Sequence, residues 1–299
     1  MRETEVLIIG QGPAGLSAAI YTGRAGIGTM ILGCDPKIAG DYTIDNYFGF
    51  QDTISGRELI ERGVRQAARF GVGMECDRVL SIHFSDTGGY VIKAESGLEI
   101  KALSVILATG VSRNRPNIEG LEKYEGRGVS YCVSCDGFFF RNRQVMVMGE
   151  GVYAANQALE LYEYSPNVAI CTGEKPSTIS EEFSSRLRER GIQVLEDRII
   201  SLHGEPSLEE IVFKNGTRRH VDGIFIAMGD ASSVDFARGL GVFTQGNFIQ
   251  VDRDMKTNAP GVFAAGDCTG GFLQISKAVG EGAIAGHSAI SYVRESREK

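Results

Sequence analysis

The chain has 299 residues, a formal net charge of −7, and 42% hydrophobic against 23% charged residues. That length suggests about two domains, and the composition is ordinary for a globular protein. The acidic balance, without a basic patch interleaved with aromatics, argues against a general nucleic-acid binder, and the first apolar run, Val6-Leu7-Ile8-Ile9, is too short for a signal core or a membrane span. A cytoplasmic chain with no membrane partner is expected.

That first run reads as a strand entering Gly10-Gln11-Gly12-Pro13-Ala14-Gly15, followed by an apolar helix through Leu16, Ala18, Ala19 and Ile20. This is GxGxxG in the setting that gives it meaning. The first glycine makes the turn, the second lets the backbone approach a pyrophosphate, and the third lets helix and strand pack closely. The helix N-terminus then faces the phosphates. The ribose-binding acid usual about 20 residues later is replaced around Leu32-Gly33-Cys34; Asp35 reads as a turn residue before Pro36, with that acid displaced by one or two positions as the alternative. Further on, Val105-Ile106-Leu107-Ala108-Thr109-Gly110 reads as a buried strand ending in a small-residue turn.

The segment Ser130-Tyr131-Cys132-Val133-Ser134-Cys135-Asp136-Gly137 places two cysteines three positions apart with an acid after them. Such a pair can close a small, reducible disulfide. At a helix start the thiolates gain from the positive terminus, which lowers their pKa, and Asp136 is placed to move protons during exchange. Half of a zinc site and two buried thiols are the alternatives. Zinc wants a second pair or histidines at ligand spacing, which Cys34, Cys76, Cys171 and Cys268 do not provide. No metal site is expected.

A second glycine loop, Gly149-Glu150-Gly151-Val152-Tyr153-Ala154, follows the strand Val145-Met146-Val147-Met148 and precedes another apolar helix. Glu150 brings a negative charge beside the pyrophosphate position, and Tyr153 adds bulk there. The next strand, Val168-Ala169-Ile170-Cys171, ends in Thr172-Gly173-Glu174. No arginine pair is present to clamp a 2′-phosphate. Glu174 suits a ribose diol, as in NAD-binding units, and a fold retained only for packing is the competing reading. Near the end, Gly261-Val262-Phe263-Ala264-Ala265-Gly266-Asp267 delivers an aspartate at a strand tip, either for a sugar-alcohol chain or as a helix cap. A final amphipathic helix follows from Ile275.

Taken in order, GQGPAG, ATG, SYCVSCDG, GEGVYA and FAAGDC resemble the low-molecular-weight thioredoxin reductase family along nearly the whole chain. The resemblance implies an α/β fold of two Rossmann-like nucleotide-binding domains of three-layer ββα type, one inserted into the other. The FAD-binding domain would take residues 1–114 and 244–299, and the insert, carrying the redox disulfide, 115–243. FAD would lie on Gly10, Gly12, Pro13, Ala14, Gly15, Gly33 and Gly40, with Asn46 near the isoalloxazine. Thr109 and Gly110 would form the second crossover, Gly266 and Asp267 would meet the ribityl chain and phosphates, and Gln274 and Ile275 would meet the flavin ring. Cys135 would receive electrons from the flavin, Cys132 would attack the disulfide of thioredoxin, and Asp136 would be the acid/base. The chain lacks the C-terminal catalytic histidine of larger disulfide reductases, and His287 reads as structural. A homodimer is implied by the family.

Family members that use NADPH carry His-Arg-Arg where this chain has Thr172-Gly173-Glu174. Losing those contacts and adding a charge each cost on the order of 1–3 kcal/mol, together roughly a hundredfold in affinity. The chain is therefore most similar to ferredoxin-dependent flavin thioredoxin reductases. Reduced ferredoxin is the expected donor, with NADH, NADPH or a deazaflavin as alternatives; an FAD-binding redox sensor or a pyridine-nucleotide–ferredoxin oxidoreductase is the reading of another class. An acidic ferredoxin needs a basic face, for which Arg113, Arg115, Arg127, Arg141, Arg143 and Arg218-Arg219-His220 are candidates. Hinges for a rotating insert are expected near 113–115 and 240–244.

Overall fold

The computed structural model describes residues 2–34, 36–40, 43–111, 116–131, 133–229 and 233–298, with the backbone alone at positions 37, 134 and 135. The chain folds as two compact units, Met1–Ser112 with Ser232–Lys299, and Arg113–Ala231. Both are α/β with parallel sheets.

The first unit is built on a sheet whose middle strands are apolar and buried in their last residues, Val6–Ile9 and Val105–Leu107, as strands covered on both faces must be. The strand Arg2–Ile9 lies between Thr29–Leu32 and Glu99–Leu107, parallel to both, and Gly73–Glu75 extends the parallel edge beyond Thr29–Leu32. Glu99–Leu107 has two jobs along its length. Its first half pairs antiparallel with Tyr90–Ala94, which continues to Val79–Phe84; its last three residues pair parallel with Val262–Ala264. Val6, Leu7, Ile8, Val105, Ile106 and Leu107 are completely buried. The helix Pro13–Arg24 packs its alanines on the long helix Ile275–Arg297, and Ser17 Oγ donates to Val279 O at 2.8 Å. His287 is an exposed position of that long helix.

The return from the insert comes earlier than the residue 244 expected from the sequence. Ser233 N donates to Thr109 Oγ1 at 2.7 Å, and the Thr109 amide donates back to Ser233 Oγ at 3.0 Å. This exchange ties the start of the helix Ser233–Gly239 to the turn after Glu99–Leu107. Residues 232–243 thus belong with the first unit.

The second unit has a parallel sheet in the order Gln193–Leu195, Val168–Cys171, Val145–Met148, Gly223–Ile226, Val129–Ser130. A separate antiparallel sheet runs Ile199–His203, Glu210–Phe213, Arg218–His220. Its core joins Met146, Ile224, Ile211 and Ile199, all fully buried, to Tyr124.

Candidate active site

In the first unit the parallel strands deliver four loops to one sheet edge. Gly10 N donates to Leu32 O at 2.8 Å, Ala108 N to Ile9 O at 2.8 Å, and Ala265 N to Leu107 O at 3.0 Å. The Gly10–Gly15 turn, Gly33, the Thr109–Gly110 turn and Gly266–Asp267 therefore share the carboxyl end of the sheet, where Rossmann folds bind their ligands. Asn46 joins them by tertiary contact: its Nδ2 donates to Gln274 Oε1 at 3.1 Å, across 228 positions of sequence. Gln274 is also the N-cap of the helix that begins at Ile275, so Asp267 does not cap that helix. Asp267 opens a short 3-10 turn instead. Gly40 follows the turn Lys37–Ala39 and is exposed.

These residues fit FAD. A Cβ at Gly15 would stand 1.9 Å from Gly10 O, so only glycine permits the turn, whereas Gly12 has nothing within 4 Å on the side where phosphate approaches. The helix Pro13–Arg24 has Gly12 as N-cap with no side-chain cap bond. Its first amides are left for an anion, as a pyrophosphate requires. The sequence reading missed the support beneath Gly266. Glu281 Oε2 accepts from Gly266 N (2.9 Å) and Thr269 Oγ1 (2.8 Å), while Lys277 Nζ donates to Gly266 O (2.8 Å) and pairs with Glu281 at 2.9 Å. Lys277 and Glu281 stand one helical turn apart, a spacing that favours pairing.

In the second unit the Cys-x-x-Cys-Asp segment contains a single helical turn, Val133–Asp136. Cys132 lies outside the described residues, as do Asp35, Arg113 and Arg115, and Cys135 is described through its backbone in that turn. The turn is pinned on both sides. Val133 is fully buried, and Ser130 Oγ donates to Asp136 Oδ2 at 2.6 Å. Phe140 packs edge-on to Phe225 with centroids 5.2 Å apart. Phe138 and Phe139 face outward, 58% and 75% exposed, with the Arg141 guanidinium 4.8 Å over the Phe138 ring.

The second glycine loop repeats the geometry of the first. A Cβ at Gly149 would meet Ala227 O at 2.1 Å, and Gly151 is the N-cap of the helix Val152–Tyr162, again without a side-chain cap bond. Glu150 is not the bare charge that its sequence position suggested. Lys175 Nζ pairs with Glu150 Oε1, while the other carboxylate oxygen is buried without a hydrogen-bond partner. Glu174, at the end of the strand Val168–Cys171 and in left-handed backbone (φ 67), has its carboxylate on Lys214 Nζ at 2.7 Å. Both lysines were passed over in the sequence, although Lys175 adjoins Glu174.

Of the basic residues proposed for docking, three meet acids within the insert. Arg143 pairs with Asp222 at 3.3 Å, Arg218 with Glu210 at 2.8 Å, and His220 approaches Asp222 at 3.8 Å. Four further cysteines fall into two groups. Burial pushes the Cys268 thiol up to about 12 and the Cys171 thiol up to about 11, so both stay protonated at neutral pH. Cys34 and Cys76, which the sequence reading left unpaired, form a disulfide. Among the described residues no cluster of three or more acidic, histidine or cysteine side chains is placed to hold a metal ion, and no helix is long and apolar enough to cross a membrane.

The family model for pyridine nucleotide-disulphide oxidoreductases matches residues 4–282. Thioredoxin reductase from Listeria monocytogenes is 32% identical over 98% of this chain and 95% of its own length. The crystal structure of the atypical thioredoxin reductase TRi from Desulfovibrio vulgaris Hildenborough is 59% identical, covers 99% of each chain and superposes with a TM-score of 0.95. A ferredoxin-flavin thioredoxin reductase from Clostridium acetobutylicum is 28% identical over the full length of both chains, with a TM-score of 0.72. The chain belongs to the pyridine nucleotide-disulphide oxidoreductase family. Within it, the chain is a flavoprotein of the low-molecular-weight thioredoxin reductase type, and FAD is its cofactor.

Proposed function

We propose that this chain reduces the disulfide of a thioredoxin through Cys132 and Cys135. The observation that carries this reading is the pinned turn Val133–Asp136, which holds Asp136 against Ser130 and sets an aromatic, outward-facing surface directly after it. Once reduced by the donor, FAD held at the Gly10–Gly15 and Gly266–Asp267 loops would supply an electron pair which, with two protons, leaves Cys132 and Cys135 as a dithiol. The Cys132 thiolate then attacks one sulfur of the thioredoxin disulfide, Cys135 attacks the mixed disulfide, and thioredoxin departs as a dithiol while Cys132–Cys135 closes. Asp136 takes the proton from the attacking thiol and returns it to the leaving one. Replacing Cys135 by Ser removes the resolving thiol. A covalent adduct of Cys135→Ser with thioredoxin through Cys132 is expected on a non-reducing gel, and its absence would contradict these roles.

For the donor, the insert favours NADH. Glu174 occupies the position where an acid takes a ribose diol, and a carboxylate there opposes the 2′-phosphate of NADPH. Lys175 pairs with one oxygen of the largely buried Glu150 carboxylate and so offsets its charge. Among the basic residues offered to an acidic ferredoxin, Arg143, Arg218 and His220 already meet acids of their own unit. Reduced ferredoxin remains the second reading, supported by the full-length similarity to the Clostridium acetobutylicum ferredoxin-flavin enzyme and by the missing 2′-phosphate clamp. A homodimer in the cytoplasm is the expected working form.

A further inference from the structure

The disulfide Cys34–Cys76 stands outside the chemistry assigned above. Its two cysteines follow adjacent parallel strands, Thr29–Leu32 and Gly73–Glu75, whose register ends at Leu32 opposite Glu75. Gly33 N adds one more bond, to Glu75 O at 3.2 Å, directly before the cross-link. The strands are thus already paired, and the disulfide lies past the ladder, at the carboxyl edge that holds the FAD loops. Cys34 also takes the place at which a Rossmann unit carries its ribose-binding acid.

Contact with the phosphate loop is direct. A Cβ on Gly33 would fall 2.9 Å from Gln11 N and 3.2 Å from Gly10 Cα, so the Gly33–Cys34 segment runs tightly over the Gly10–Gln11 turn. Gln11 also reaches the neighbouring strand, with Nε2 3.7 Å from Met74 Sδ. Accessibility sets this pair apart from the other two described thiols. Cys76 is exposed and Cys34 half-buried, whereas Cys171 and Cys268 are sealed in the core. An exposed disulfide is open to thiolate attack, and exposed pairs are the labile ones.

We infer that Cys34–Cys76 is a second dithiol–disulfide site, opened by reduced thioredoxin, and that while closed it holds the Gly33–Cys34 segment against the FAD phosphate loop. The exchange balances. One thioredoxin thiolate attacks Cys76 Sγ and Cys34 leaves as thiolate; the second thioredoxin thiol displaces Cys76. Thioredoxin ends as the disulfide, and Cys34 and Cys76 take up the two protons. The inference rests on the reading that thioredoxin is the protein this chain reduces, and it gives the product a route back to the cofactor site. With the cross-link open, the adenosine end of FAD is held less firmly, by about tenfold in affinity, equivalent to ~1.4 kcal/mol.

The test uses the FAD-loaded Cys132→Ser protein, in which the main disulfide cannot form, and thioredoxin reduced beforehand and freed of reductant. After anaerobic mixing, native alkylation and peptide mass spectrometry report the cysteines, and ultrafiltration reports released FAD. Label on both Cys34 and Cys76, none on Cys171 or Cys268, and increased FAD release are expected. The double variant Cys34→Ser/Cys76→Ser should release FAD at that higher level without treatment and show no response to thioredoxin. Peptides that stay cross-linked would overturn the inference, and so would full labelling with FAD retention unchanged. Failure of the wild-type chain to turn over thioredoxin would be read separately, as failure of the proposed function.

Discussion

The two glycine loops share one backbone design and differ in what stands in front of it. At Gly10–Gly15 and at Gly149–Ala154 a glycine presses against a backbone oxygen of a neighbouring segment, and an uncapped helix N-terminus follows. Before the first loop lies open space, and Lys277 and Glu281 brace the Gly266 turn at the same sheet edge. The second carries its own carboxylate, Glu150, with Lys175 upon it. The first is shaped to keep a dinucleotide permanently. We propose that the second takes one that comes and goes, Lys175 turning from Glu150 to the ligand's phosphates.

The sharpest way to break this comparison is to spoil each loop in turn. Gly15→Ala puts a Cβ 1.9 Å from Gly10 O and should weaken FAD binding by about a hundredfold, ~2.7 kcal/mol, read as flavin lost on gel filtration. Gly149→Ala puts one 2.1 Å from Ala227 O; it should retain FAD while flavin reduction by NADH is lost. Next in size, Glu174→Arg should lower kcat/KM for NADH about tenfold, ~1.4 kcal/mol, and raise it for NADPH by offering a charge-assisted bond to the 2′-phosphate. Steady-state kinetics with both donors decides it. Lys175→Ala leaves the largely buried Glu150 carboxylate without its cation, and KM for NADH should rise about threefold, ~0.7 kcal/mol. Unchanged KM values in both of these variants would favour ferredoxin.

The smallest effect concerns the sealed thiols. Burial raises Cys171 and Cys268 from 9.0 to about 11 and about 12, so the folded chain holds these protons more tightly than the unfolded one. Their contribution to stability is complete below pH 9 and is lost as pH rises toward 12. Urea unfolding midpoints should fall across that window and fall less in Cys268→Ala.

Both Rossmann units were legible because each glycine loop came with its strand and helix, and local pattern carries that information. The edge turns at Thr109 and Gly266 were legible for the same reason. Asn46 and Gln274 were each assigned to the flavin through family resemblance alone, and their mutual hydrogen bond was not foreseen, since no local spacing links positions so far apart. The Cys34–Cys76 bond was missed because it needs the knowledge that Thr29–Leu32 pairs with Gly73–Glu75, and parallel pairing is not written in either strand. Glu150 was misjudged for a simpler reason: its charge was counted without Lys175, which the next strand brings back to the same loop. Ser233 likewise shows its role only once the Thr109 turn is in place.

We propose that the second loop still takes a dinucleotide, and the flavin itself can report it. Anaerobic FAD-loaded protein would be mixed separately with NADH, NADPH and reduced ferredoxin while the visible flavin absorption is followed. Fast bleaching by NADH, slow bleaching by NADPH and thioredoxin thiols appearing afterwards is the predicted result. Bleaching by ferredoxin alone would contradict it and leave the insert as a scaffold for the cysteines.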